Sequence, residues 1–121
     1  MKNYTTENNP ILKLTFEFAT DVMVYCDKLI DLKRFALANQ LFKSGTSIGA
    51  NAREAQHAES KADFIHKFKI AAKEMNETEY WLALCQQSSS LPDCEHLISK
   101  LVEIKKIINK IISTSRSRTT V

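Results

Sequence analysis

At 121 residues the chain has room for one domain around one core, and its net charge of +3 is only mildly basic, which by itself does not imply nucleic acid. Two glycines and two prolines are far below average usage, which excludes a turn-rich β fold and points to long uninterrupted helices. No apolar run approaches the ~20 residues of a membrane span, no signal peptide opens the chain, and three cysteines without a CxxC spacing fit a reduced cytoplasm.

Residues 1–9 read as a polar tail. Asn9 as cap and Pro10 at the first helical position then start a helix expected to run to about Asp31. Ile11, Leu14, Phe18, Val22, Tyr25, Leu29 and Leu32 form one apolar stripe at alternating spacings of three and four. Leu12, Phe16, Ala19, Met23 and Ile30 form a second beside it, so the apolar face exceeds the ~100° of a simple surface helix and needs a further partner.

A second helix follows a break near Asp31–Arg34, which carries neither Gly nor Pro, and should end near His57–Glu59. Phe35, Ala38, Leu41, Phe42, Ile48, Ala52 and Ala55 are its core side. Both glycines of the protein, Gly45 and Gly49, lie here on one face one turn apart, among Ser44, Thr46, Ser47, Ala50 and Ala52. Each Gly costs roughly 1 kcal/mol of helix propensity relative to Ala, and close packing of a neighbouring helix is the usual offset. On that reading Gly49→Leu overpacks the bundle, while Gly49→Ala stabilises it. A phosphate-binding glycine loop would need the P-loop spacing with a Lys-Ser or Lys-Thr end, and neither is present.

Ser60-Lys61-Ala62-Asp63 resembles a capping box and opens a third helix reaching about Gln87, with Phe64, Phe68, Ala71, Ala72, Met75, Thr78, Leu82 and Cys85 toward the core. Glu74, Glu77 and Glu79 read as its solvated face. Ser88–Asp93 is the clearest loop. The fourth helix is expected from Pro92 or Asp93 to about Ser113, with a seam of Leu97, Leu101, Ile104, Ile108 and Ile111. Ile98, Ile107 and Ile112 widen that seam, and Ser99, Glu103, Lys106, Lys110 and Ser113 share the opposite face. The reading is all-α: an up-down-up-down four-helix bundle over residues 10–113, followed by a basic flexible tail over 114–121.

No constellation of side chains meets the requirements of catalysis. Glu54-x-x-His57 and Asp63-x-x-His66 have the spacing of di-iron bundle ligands, but both sit at the turn between helices 2 and 3, at one end of the bundle, where surface and capping roles are the expectation. No metal, cofactor or catalytic residue is therefore assigned. The positive excess lies in residues 91–121, where six cations face three acids. Lys100, Lys105, Lys106, Lys110, Arg116 and Arg118, with Lys43, Arg53, Lys61 and Lys67, are the candidates for phosphate contacts. A bundle needs one apolar stripe per helix, so Leu12, Phe16, Met23 and Ile30 on helix 1 and Ile98, Ile107 and Ile112 on helix 4 are the surplus expected to drive self-association.

The run SIGANAREA followed by ESKADFIHKFKIAAKEMNETEYWL resembles the small four-helix-bundle family encoded in intervening sequences of bacterial 23S ribosomal RNA genes, itself similar to the accessory proteins of diversity-generating retroelements. The most specific part is Ser47-Ile48, Asn51 and Glu54, then Asp63-Phe64. The chain departs from the family at Ala55, where Gly is common, and at Lys43, where Arg is favoured. The resemblance implies a left-handed bundle assembled as a ring, commonly a pentamer, with partners among RNA or DNA. A protein–protein adaptor, whose partner is a protein encoded nearby, is the alternative.

Overall fold

The structure, a computed structural model, describes residues 8–119, with side chains to Ser117. Residues 1–7 of the expected N-terminal tail, the Arg118 side chain and the last two residues lie outside that range. Four helices make up the fold: α1 (Pro10–Asp31), α2 (Phe35–Ala55), α3 (Lys61–Gln87) and α4 (Glu95–Thr119). They form a four-helix bundle in which α1 and α3 each pack against α2 and α4, and the diagonal pairs make no close backbone contact. Contact pairs run in opposite order along each neighbouring couple. Gly45 meets Val22 while Gly49 meets Thr15. Ser44 meets Thr78 while Glu54 meets Lys67.

Large side chains at helical spacing fill the centre. Phe18, Val22, Tyr25 and Leu29 come from α1, Leu41 and Ile48 from α2, Phe68 and Leu82 from α3, and Leu97, Ile104 and Ile108 from α4; all are fully buried. The buried Ser44 and Thr78 hydroxyls lie 2.9 Å apart, and Thr78 Oγ1 lies 2.8 Å from the Glu74 carbonyl oxygen, so neither is an orphan in the core.

The close approach foreseen at the glycines is between α2 and α1. A Cβ on Gly45 would come within 2.9 Å of Val22 Cγ1, and one on Gly49 within 3.1 Å of Thr15 Oγ1 and 3.4 Å of the Thr15 carbonyl oxygen. Thr15 is anchored, because its hydroxyl donates to the Ile11 carbonyl at 2.7 Å. The room that would let Gly49→Ala stabilise the helix is thus absent, and that expectation is corrected to a near balance of propensity against crowding.

α1 and α3 end where the sequence reading put them, while the end of α2 and both ends of α4 differ from it. α1 stops in a Schellman motif: Lys33 N–H donates to the Ile30 carbonyl and Arg34 N–H to the Leu29 carbonyl, both at 2.8 Å, with Lys33 at φ 63° where Gly is usual. α2 ends at Ala55, short of His57–Glu59, because the N–H groups of His57 and Ala58 turn to carbonyls three residues back. At the start of α3, Asp63 N–H donates to Ser60 Oγ at 3.0 Å as anticipated, while Asp63 Oδ2 accepts at 3.1 Å from Glu59 N–H, one residue before the Ser60 N–H that a full capping box would use. α4 begins at Glu95 instead of Pro92 or Asp93. Gln86 holds the loop, accepting from Cys94 N–H and donating to Asp93 Oδ1, both at 2.8 Å, and the other Asp93 oxygen accepts from Glu95 N–H at 3.3 Å. At its far end α4 continues to Thr119, so the stretch after Ser113 expected to be a flexible tail is helical as far as it is described.

Candidate nucleic-acid interface and apolar face

The cations singled out in the sequence do not converge on one surface. Helical periodicity distributes them around the bundle, and three are committed to acids. Lys67 Nζ lies 3.0 Å from Glu54 Oε1, Lys100 Nζ 3.0 Å from Asp21 Oδ2, and Lys105 Nζ 3.8 Å from Glu79 Oε1. The Glu54 carboxylate holds the Lys67 ammonium above its ordinary pKa. These pairs tie α2 to α3, α4 to α1 and α4 to α3, so their first role is to fix helix neighbours. Arg53 is half-buried in the groove between α1 and α2, and Lys43 and Lys61 are exposed elsewhere.

Lys106 and Lys110 are different. They lie one turn apart on the outer face of α4, both exposed, and among the described residues neither has a carboxylate within 4.0 Å. Arg116 is exposed farther along the same helix.

Sequence reasoning passed over a second outward stripe, on α3. His66, Lys69, Lys73 and Tyr80 follow three-four spacing and are all exposed. Of the acids of α3, Glu77 lies in this line between Lys73 and Tyr80, with Oε2 accepting from Trp81 Nε1 at 3.2 Å, whereas Glu79 faces Lys105 and Glu74 is half-buried. Counting charge along the chain gave a neutral segment here. Counting by helix face would have shown Lys69 and Lys73 in line ahead of Glu77.

The two would-be metal-ligand pairs hold other positions. Glu54 pairs with Lys67 and Asp63 caps α3, while His57 and His66 are exposed. Among the described residues no group of three or more His, Cys, Asp or Glu is placed to hold a metal ion. No helix there is long and apolar enough to cross a membrane.

Three free thiols are buried. Cys85 and Cys94 flank the Tyr25 hydroxyl, which donates to the Pro92 carbonyl at 2.6 Å. Burial pushes Cys26 and Cys94 up to about 11 and raises Cys85 and Tyr25 as well. Thiols held protonated in this way are poor nucleophiles at neutral pH.

The apolar surplus falls differently from the sequence reading. Phe16, Met23 and Ile30 are exposed on α1, as expected, but Leu12 is only 9% exposed, covered along the α1–α2 seam. On α4, Ile98, Ile107 and Ile112 are half-buried against the core, because their positions border the stripe that α1 and α3 flank. The exposed partners of the α1 residues are instead Phe35 (60% exposed) and Phe42 on α2. Together they edge a shallow groove along α1 and α2 with two depressions, of about 520 Å³ over Thr15, Ala19 and Gly49 and about 350 Å³ over Cys26 and Ala38.

Residues 7–110 match the family described as 23S rRNA-intervening sequence protein. The chain is also similar to a crystal structure of a protein of unknown function from the S23 ribosomal protein family of Bacteroides thetaiotaomicron VPI-5482, at 40% identity and a TM-score of 0.80, over 84% of this chain and 97% of that one. Among curated proteins nothing matches.

Proposed function

Because the chain belongs to the 23S rRNA-intervening sequence protein family, we propose that it is a non-enzymatic, self-associating helical protein that binds RNA through phosphates. The observation that carries this reading is the pair Lys106 and Lys110, exposed one turn apart with no carboxylate within 4.0 Å among the described residues. Repeated around an oligomer, such a pair adds its field to that of its copies, which favours a polyanion over a small ligand. Self-association is supported by the apolar groove edged by Phe16, Met23, Ile30, Phe35 and Phe42, a surface of the kind that marks interfaces. If two unlike faces meet, the assembly closes as a ring, and the pentamer implied by the resemblance is the form to test. The three free buried thiols fit a reducing compartment such as the cytoplasm.

The family's name refers to 23S rRNA intervening sequences, so ribosomal RNA fragments are the first nucleic acid to test. Titration at two salt concentrations should show weak binding with steep salt dependence and little sequence preference. Lys106→Glu with Lys110→Glu should flatten the salt slope by about two. Absence of binding at low salt defeats the reading.

The same apolar groove supports a second reading, an adaptor for another protein. Capture from the host with and without nuclease separates the two: a partner that survives nuclease favours the adaptor.

A further inference from the structure

We propose that the outer face of α3 is a second nucleic-acid site, one that takes an unpaired nucleotide by stacking its base on Tyr80 and its phosphates along Lys69 and Lys73. The inference rests on the reading of the protein as RNA-binding but adds a different chemistry, because the α4 cations contact phosphate alone.

Tyr80 is 59% exposed, which is unusual for a large ring on a helix that has a core to fill. It is also braced. The Trp81 ring stands edge-on to it, with centroids 5.2 Å apart and planes 66° apart. Trp81 is in turn fixed by the hydrogen bond from its Nε1 to Glu77 Oε2 at 3.2 Å. A ring held in one orientation loses little freedom on binding, which is what a stacking platform requires.

Charge completes the site. Lys73 lies two turns before Tyr80 and Lys69 one turn before that, with His66 continuing the line; neither lysine has a carboxylate within 4.0 Å among the described residues. Glu77, one turn beyond Lys73, is turned to the Trp81 indole. Cations about 6 Å apart along a helix axis, followed by an exposed aromatic ring, form a track for a sugar-phosphate strand that ends on a base. A protein partner would gain little from the cations, and a duplex could not offer a base face to the ring. Single-stranded nucleic acid uses both.

The test compares four probes on the full chain: oligouridine, oligothymidine, an abasic strand of the same length, and duplex RNA. Trp81, the single tryptophan of the protein, reports occupancy of the neighbouring ring through its fluorescence. Wild-type protein should bind oligouridine more tightly than the abasic strand, with quenching of Trp81. Tyr80→Ala should lose about tenfold on oligouridine and nothing on duplex RNA, and Tyr80→Phe should keep the wild-type affinity. The oligothymidine arm shows whether the ribose hydroxyl contributes. Equal binding of oligouridine and the abasic strand, or no loss with Tyr80→Ala, overturns this inference while leaving phosphate binding by α4 intact. A changed assembly mass in Tyr80→Ala makes the stripe an interface between copies and overturns it too. Failure of every probe to bind removes the broader RNA reading, and this one with it.

Discussion

Two kinds of seam hold the bundle together, and they treat surplus apolar residues in opposite ways. Between α1 and α2, Gly45 and Gly49 leave no side chain to keep the backbones apart, and the helices close onto Val22 and Thr15. Little space remains between them, so Phe16, Met23, Ile30, Phe35 and Phe42 stand outside. Around α4 there is no glycine. Branched side chains fill the gaps there, and Ile98, Ile107, Ile111 and Ile112 sink partway into them, while Val102, Lys106 and Lys110 are exposed on the outer face. The extra stripe beside the glycine seam thus ends at the surface, and the one on α4 ends partly in the core. One side of the molecule is left oily and another cationic.

The largest effect should come from breaking the oily side. Phe16→Glu combined with Met23→Lys is expected to collapse the assembly to the 13.8 kDa monomer while helicity is kept, as read by light scattering and circular dichroism. Wild-type protein that already scatters as a monomer at micromolar concentration would refute self-association.

Next in size is the loss of atoms from the filled seams. Ile104→Ala, at a fully buried position, should cost about 2–5 kcal/mol in denaturant unfolding. The glycine seam should fail the other way, by addition: Gly45→Leu is expected to cost about 3 kcal/mol, since Val22 is buried and stiff at χ1. Gly45→Ala should err in the same direction by less. If Gly45→Ala raises the melting temperature, the two helices are not held apart by contact and the contrast between seams dissolves.

The smallest effect is invisible at neutral pH. Cys26 touches α2 through the Ala38 carbonyl, and Cys94 touches α3 through the Leu82 carbonyl, so each seam carries one thiol as a probe. Both are raised in the folded chain from 9.0 to about 11. In the unfolded chain they ionise first, so their contribution is intact below pH 9 and is lost as pH rises toward 11. The melting temperature should fall across that window. Cys26→Ala and Cys94→Ala should each flatten the fall, and equal flattening would mean that the two seams are equally dry.

Much of this fold was legible because its signals are local. The bounds of α1, the cap at Ser60 and the glycine contact follow from residue types within one or two turns. What escaped depends on partners distant in sequence or on geometry that periodicity does not carry. Gln86 replaces a proline as the starter of α4. The fate of Ile98, Ile107 and Ile112 turned on packing against neighbouring helices, which a single helix does not encode. The candidate sites were half legible for a related reason. Lys106 and Lys110 stood out on their own helix, while the α3 stripe was hidden by Glu77 in its own line, engaged with Trp81, and by Glu79 on a neighbouring face, engaged with Lys105.

The junction between α1 and α4 has a consequence for how the molecule assembles in time. Every other packed pair joins helices adjacent in the chain, so those contacts close through short loops and form quickly. The first and last helices meet across nearly the whole sequence, through the sparsest of the four junctions, fastened by the Asp21–Lys100 pair and the Tyr25 hydroxyl on Pro92. The three neighbouring pairs can therefore form before α1 and α4 meet to close the square. The closing step is expected to be the slow one and the same sparse junction the first to reopen, so amide exchange should run faster along α4 than along α2.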